Sequence, residues 1–91
     1  MIHSWLHKGL RDLFEKGTTA RIQKPLQERC LRRLDALDRA VRPEDMNVPG
    51  FNFHALHGTP RRYTVHVNGP WCITFEFENG EACRVDFEQY H

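Results

Sequence analysis

The sequence predicts an α+β fold in which two N-terminal helices pack on a mostly antiparallel four-stranded sheet. Two observations carry this. Apolar residues recur at helical spacing up to about residue 41 and alternate with polar ones from Phe51 onward. Asn68-Gly69 and Asn79-Gly80 then punctuate the alternating half as hairpin turns. A chain of 91 residues suits one domain, 1–91, with a modest core.

The first helix is expected over residues 7–16. Leu6, Leu10, Leu13 and Phe14 share a face, and Gly17 follows as a C-terminal stop. A longer helix is expected from about Pro25 to Ala40, with Pro25 in its first turn. Leu26, Cys30, Leu34, Leu37 and Val41 form its apolar stripe, with Leu31 beside it. Arg29, Arg32, Arg33 and Arg39 lie mainly off that stripe. Pro43 ends the helix, and residues 42–50 read as a loop.

Four alternating segments follow. Phe51 and Phe53 begin the first; Tyr63, Val65 and Val67 mark the second; Trp71, Ile73, Phe75 and Phe77 the third; Cys83, Val85 and Phe87 the fourth. Matching apolar faces across the hairpins predicts three-residue loops in both. Phe77 then faces Cys83, Ile73 faces Phe87, Val65 faces Ile73 and His66 faces Cys72, while Glu76 meets Arg84. One sheet face takes the helices. The other carries Thr64, His66, Cys72, Thr74, Glu76, Arg84, Asp86 and Glu88 and is expected to be open. The chain runs on from it to Tyr90-His91, and a histidine there can give or take a proton near neutral pH.

Composition sets the class. With 27% charged and 40% hydrophobic residues, the chain is ordinary for a globular protein. No apolar run is long enough to span a bilayer, and residues 1–8 lack the stretch of a signal peptide, so a cytoplasmic protein with no membrane contact is expected. Cys30, Cys72 and Cys83 form no CxxC and are expected to be reduced. Residues 1–42 hold ten Lys/Arg against five Asp/Glu; residues 43–91 hold three against seven. The basic surface therefore belongs to the helical half. It is either a solvated helix face or a face for phosphate backbones.

Several segments together carry a family resemblance: His7-Lys8-Gly9-Leu10, Leu34-Asp35-Ala36-Leu37-Asp38, Pro43-Glu44-Asp45-Met46-Asn47, His54-Ala55-Leu56, Val67-Asn68-Gly69, Ile73-Thr74-Phe75, Phe77-Glu78-Asn79-Gly80 and Tyr90-His91. In order and spacing the chain resembles the HigB toxins of the RelE/ParE superfamily, over nearly its whole length. The resemblance implies a RelE-like fold and an endoribonuclease that cuts mRNA on the translating ribosome. It also implies a HigA-like helix-turn-helix antitoxin, and contact with DNA only through that antitoxin. No cofactor or metal is implied.

Such an enzyme directs a ribose 2′-hydroxyl onto the adjacent phosphate. It needs a base, an acid for the leaving oxygen, and cations for the developing charge. The resemblance assigns this work to His54, His57, Tyr90 and His91. Arg29, Arg32, Arg33, Arg61, Arg62, His66 and Arg84 are the candidate contacts to mRNA and to 16S ribosomal RNA. Three positions depart from the family pattern. His57 stands at its lysine, Cys72 at its arginine, and Gln89 at its acidic residue before Tyr-His. A thiol offers an oxyanion little where an arginine offers a fork of donors. Three accounts of Cys72 compete: replacement of the charge by His66, Arg61-Arg62 or Arg84; a weak or inactive nuclease acting by partner binding; or a changed arginine. Two other functions stay open. One is gyrase inhibition as in the ParE branch, which does not use a terminal Tyr-His. The other is a zinc site from His54-x-x-His57 with His66, Cys72 and His91.

Overall fold

The first helix, α1, spans Lys8–Lys16 and is fixed at both ends. At its start the His7 ring Nδ1 accepts a hydrogen bond from the Leu10 N–H at 3.1 Å. Burial lowers the His7 pKa against the opposing charge of Asp86, with Arg21 adding to the fall. A neutral, accepting imidazole is what this cap needs. At its end Gly17 adopts φ 82° and returns its N–H to the Leu13 carbonyl. Leu10 and Leu13 are fully buried, whereas Leu6 is 59% exposed. The helix starts after Leu6, so that residue does not share its apolar face as the spacing implied.

The second helix, α2, spans Lys24–Arg39. Leu26, Cys30, Leu34 and Leu37 are buried along it. Burial pushes the Cys30 thiol up to about 12, against the pull of Arg33. Helical backbone ends before Ala40, whose ψ of 140° is extended. Val41 therefore loses the phase of the stripe and is 68% exposed, contrary to the sequence reading. A 3₁₀ turn over Pro43–Met46 follows, and its Met46 seals the core.

The computed structural model describes residues 1–89. Its strands are β1 (His54–Leu56), β2 (Arg62–Asn68), β3 (Trp71–Glu78) and β4 (Glu81–Gln89). They form one antiparallel meander in the order β1-β2-β3-β4. The core lies between this sheet and the helices. Val65, Val67, Ile73, Phe75, Ala82, Val85 and Phe87 meet Leu10, Leu13, Leu34 and Leu37 there. The α+β architecture expected from the sequence is thus observed.

Both hairpin loops are shorter than expected. Gly69-Pro70 and Asn79-Gly80 are two-residue connections, with positive φ at Asn79 and Gly80 as a primed turn requires. Each two-residue turn would put apolar residues on opposite faces, and a bulge restores the match in each case. In β2 the extra residue is Val67, between the pairs His66–Cys72 and Asn68–Trp71. In β4 it is Arg84, whose φ is 48°. The pairs Val65–Ile73, His66–Cys72 and Ile73–Phe87 fall as expected. Beyond the bulge, however, Phe77 faces Ala82 and Glu76 faces Cys83. Cys83 therefore joins the polar face, not the core.

The N-terminal segment lies along the outer edge of β4. Ile2 and Trp5 bridge to Ala82 and Val85 in parallel, and the Ser4 hydroxyl accepts from the Arg84 N–H at 2.9 Å. An otherwise open edge and the bulge itself are closed in one stroke.

Candidate functional site

The sheet face turned away from the helices is arranged in cross-strand rows. Leu56, Arg62, Glu76 and Cys83 form one; His54, Thr64, Thr74 and Asp86 the next; His66, Cys72 and Glu88 the third. Gln89 then pairs with Trp71 at the end of β4. Tyr90 and His91 follow directly in sequence and lie outside the described residues.

This face is less open than its polar sequence suggests. Thr64, Thr74 and Glu76 are buried. Glu76 accepts from Arg62 Nη1 at 2.7 Å and from Arg84 Nε at 2.8 Å. Arg84 reaches on to Glu78. Arg62 Nη2 donates to Thr74 Oγ1 at 2.8 Å, which leaves the threonine hydroxyl to donate to Glu88. Burial alone would raise the Glu76 pKa, but the hydrogen bonds from Arg84 and Arg62 outweigh it and hold the carboxyl below its usual value. Arg84 is shifted upward by Glu78 and Glu76 in return. So Arg62 and Arg84, two of the expected RNA contacts, have their charge already met inside the sheet. Expected cross-strand pairing of Glu76 with Arg84 is replaced by a diagonal contact across the bulge.

The remaining candidates divide by position. His54 is exposed, with Nδ1 3.1 Å from the Asn52 carbonyl, and its row partner is Thr64. The Thr64 hydroxyl is buried without a hydrogen-bond partner among the described residues. His66 places Nε2 2.9 Å from the Gly69 carbonyl. Cys72 beside it is 7% exposed, with Sγ 3.9 Å from the Pro70 carbonyl. His57 sits elsewhere, in the exposed loop beyond β1, and shares a shallow depression with Thr59, Pro60 and Arg62. It lies at the opposite end of the sheet from Gln89. Arg61 is exposed next to that loop.

On α2, Arg32 is solvent-exposed and pairs with Glu28 at 2.8 Å. Arg29 Nη1 donates to the Val67 carbonyl at 3.2 Å. Arg33 is not a surface residue. It is 7% exposed, donates from Nε to the His66 carbonyl at 2.8 Å, and lies over the Phe51 ring at 4.6 Å. The sequence held a signal for this. Leu26, Cys30, Arg33 and Leu37 are themselves at helical spacing, so Arg33 belongs to the buried stripe.

No zinc-like convergence of His54, His57, His66 and Cys72 occurs among the described residues. The group that does converge there is Glu76, Glu78 and Cys83. Its carboxylates are occupied by the guanidinium groups of Arg62 and Arg84. No helix among the described residues is long and apolar enough to cross a membrane.

Two helices on one side of a four-stranded antiparallel sheet, and a histidine-bearing polar face on the other, define a RelE-like toxin fold. The model of the HigB-like toxin family, described as the RelE-like toxin of the type II toxin-antitoxin system HigB, matches residues 3–91, and the chain belongs to that family. It is also 39% identical to the Endoribonuclease HigB of Proteus vulgaris over 92 aligned residues, covering 100% of both chains.

Proposed function

We propose that this toxin is an mRNA endoribonuclease that acts on the translating ribosome and is neutralised by a HigA-like antitoxin. The observation that carries this reading is the full-length similarity to a protein named Endoribonuclease HigB. The geometry supports it with a histidine-lined face free of the helices and fixed by an internal ion-pair network.

The substrate strand would cross the sheet from β1 toward the end of β4. His54 stands on β1 and His66 on β2. Tyr90 and His91 follow β4 in sequence. A 2′-hydroxyl must lose its proton and the 5′-oxygen must gain one. His91 is the proposed acid or base, and Tyr90 a stacking or hydroxyl partner. His54 is the proposed electrostatic partner at the scissile phosphate. His57, with Arg61, is assigned to the RNA path at the far end of the sheet. His66 faces Cys72 in the strand register, so it is the proposed substitute for the family's arginine. The outward helix arginines Arg29 and Arg32 suit RNA phosphates, which position the enzyme without reading sequence.

The test is to add the purified protein to ribosomes carrying a defined mRNA. Fragments ending in a 2′,3′-cyclic phosphate, absent when the 2′-hydroxyl at the cut site is methylated, are the expected result. Intact mRNA would overturn the proposal.

A further inference from the structure

We propose that the groove between the start of α2 and the Pro49–Phe51 segment is a phosphate subsite for the RNA strand, with buried Arg33 as its counter-charge. This inference rests on the endoribonuclease reading. The groove measures about 470 Å³ and is lined by Pro25, Glu28, Arg29, Arg32, Arg33 and the Pro49–Phe51 segment.

The central observation is a buried charge that meets no carboxylate among the described residues. Arg33 is 7% exposed, yet no carboxylate of the described residues lies within ion-pair distance of it. Its hydrogen bonds go to neutral carbonyls, His66 O at 2.8 Å and Arg29 O at 3.2 Å. A guanidinium so far out of water is costly unless an anion meets it. Burial lowers its pKa, and the neighbouring charges of Arg29 and Arg32 lower it further while Cys30 opposes them. An anion in the groove would relieve all three arginines at once. Glu28 is present, but it is solvent-exposed and engaged with Arg32. The groove therefore carries three cations against one anion.

Its position favours RNA over other anions. The His66 carbonyl that anchors Arg33 belongs to β2, and the His66 N–H donates to the Phe51 carbonyl at 2.7 Å. Phe51 precedes His54 by three residues, at most about 10 Å of chain. The groove thus abuts the β1 edge of the candidate active face. An arginine fork beside a partly exposed aromatic ring is a fitting seat for a phosphate and its neighbouring base.

The probe is a short single-stranded RNA with 2′-O-methyl groups throughout, which cannot be cut. Its binding is measured by fluorescence anisotropy across a sodium chloride series. Arg33→Met should bind about tenfold more weakly at low salt. Its slope of log affinity against log salt should be shallower by about 0.7, the loss of one single-strand phosphate contact. Arg33→Lys should keep the slope. Arg32→Gln, at an exposed position that cannot unfold the core, should also weaken binding. Unchanged affinity and slope in Arg32→Gln and in folded Arg33→Met would overturn the subsite, even where the wild type still cuts ribosome-bound mRNA. Failure of the wild type to bind the RNA at low salt, with binding of oligoglutamate instead, would overturn it in favour of an acidic protein segment.

Discussion

Arg62 and Glu76 meet across β2 and β3 with Nη1 2.7 Å from Oε2, and Glu76 holds Arg84 at the same time. One buried carboxylate therefore holds two strand arginines, and Glu78 supplies the second negative charge through Arg84. Breaking such a pair leaves a partly buried charge uncompensated. Glu76→Gln is expected to destabilise the fold by about 3 kcal/mol, the low end for a buried pair because the Arg84 side chain is 40% exposed. Chemical denaturation at neutral pH measures this.

The same carboxylate sets an acid limit. Its folded pKa is depressed, so its stabilisation is complete above the unfolded value near 4.5 and is lost as pH falls through the lower folded value. His7 acts in the same direction at higher pH. Its folded pKa lies below the ordinary imidazole value near 6.5, so protonation in the unfolded chain draws stability away as pH falls through that region. Melting temperature should decline in two stages on acidification. His7→Gln is expected to remove the upper one, and Glu76→Gln the lower.

Leu34 and Val41 are both apolar residues of the stripe read from the sequence, but they differ in place. Leu34 is fully buried and Val41 is 68% exposed. Leu34→Ala should cost about 3 kcal/mol, and Val41→Ala should stay within about 0.5 kcal/mol. Equal losses in denaturant titrations would contradict the helix end at Arg39.

The Arg84 bulge depends on Ser4, whose hydroxyl accepts the Arg84 N–H. Ser4→Ala should cost about 1 kcal/mol. It should also speed hydrogen exchange at the Arg84 amide selectively, leaving the β2–β3 ladder protected. Uniform loss of protection would show that the segment holds the whole sheet.

His54 and His57 are close in sequence and far apart in role on this account. His54→Ala should reduce cleavage of ribosome-bound mRNA about 10²-fold or more. His57→Ala, in the loop beyond β1, should reduce it less than tenfold. Single-turnover cleavage rates decide this.

The fold was largely legible because two hydrophobic periods, and an Asn-Gly pair at or beside each hairpin turn, divide the chain cleanly. Most of the register was legible as well, since Val65, Ile73 and Phe87 had to share a face. The loop lengths were not. A bulge at Val67 or Arg84 restores the facing that a longer loop would also give, and alternation does not distinguish the two. Nor did residues 1–6 carry any period to announce that they flank β4. At the candidate site, His54, His66 and Cys72 could be placed by strand alternation. The engagement of Arg62 and Arg84 with Glu76 could not, because it depends on a diagonal contact created by the bulge. Arg33 runs against its charge: its helical spacing with Cys30 and Leu37 buries it.

Growth of a bacterial culture after induction of this chain tests the central claim most directly, with Cys72→Arg and a His91 deletion beside it and mRNA 5′-ends mapped in each. The chain should arrest growth and generate new mRNA ends, the deletion should abolish both effects, and Cys72→Arg should strengthen them. Undisturbed growth and intact mRNA with both the chain and Cys72→Arg would contradict it.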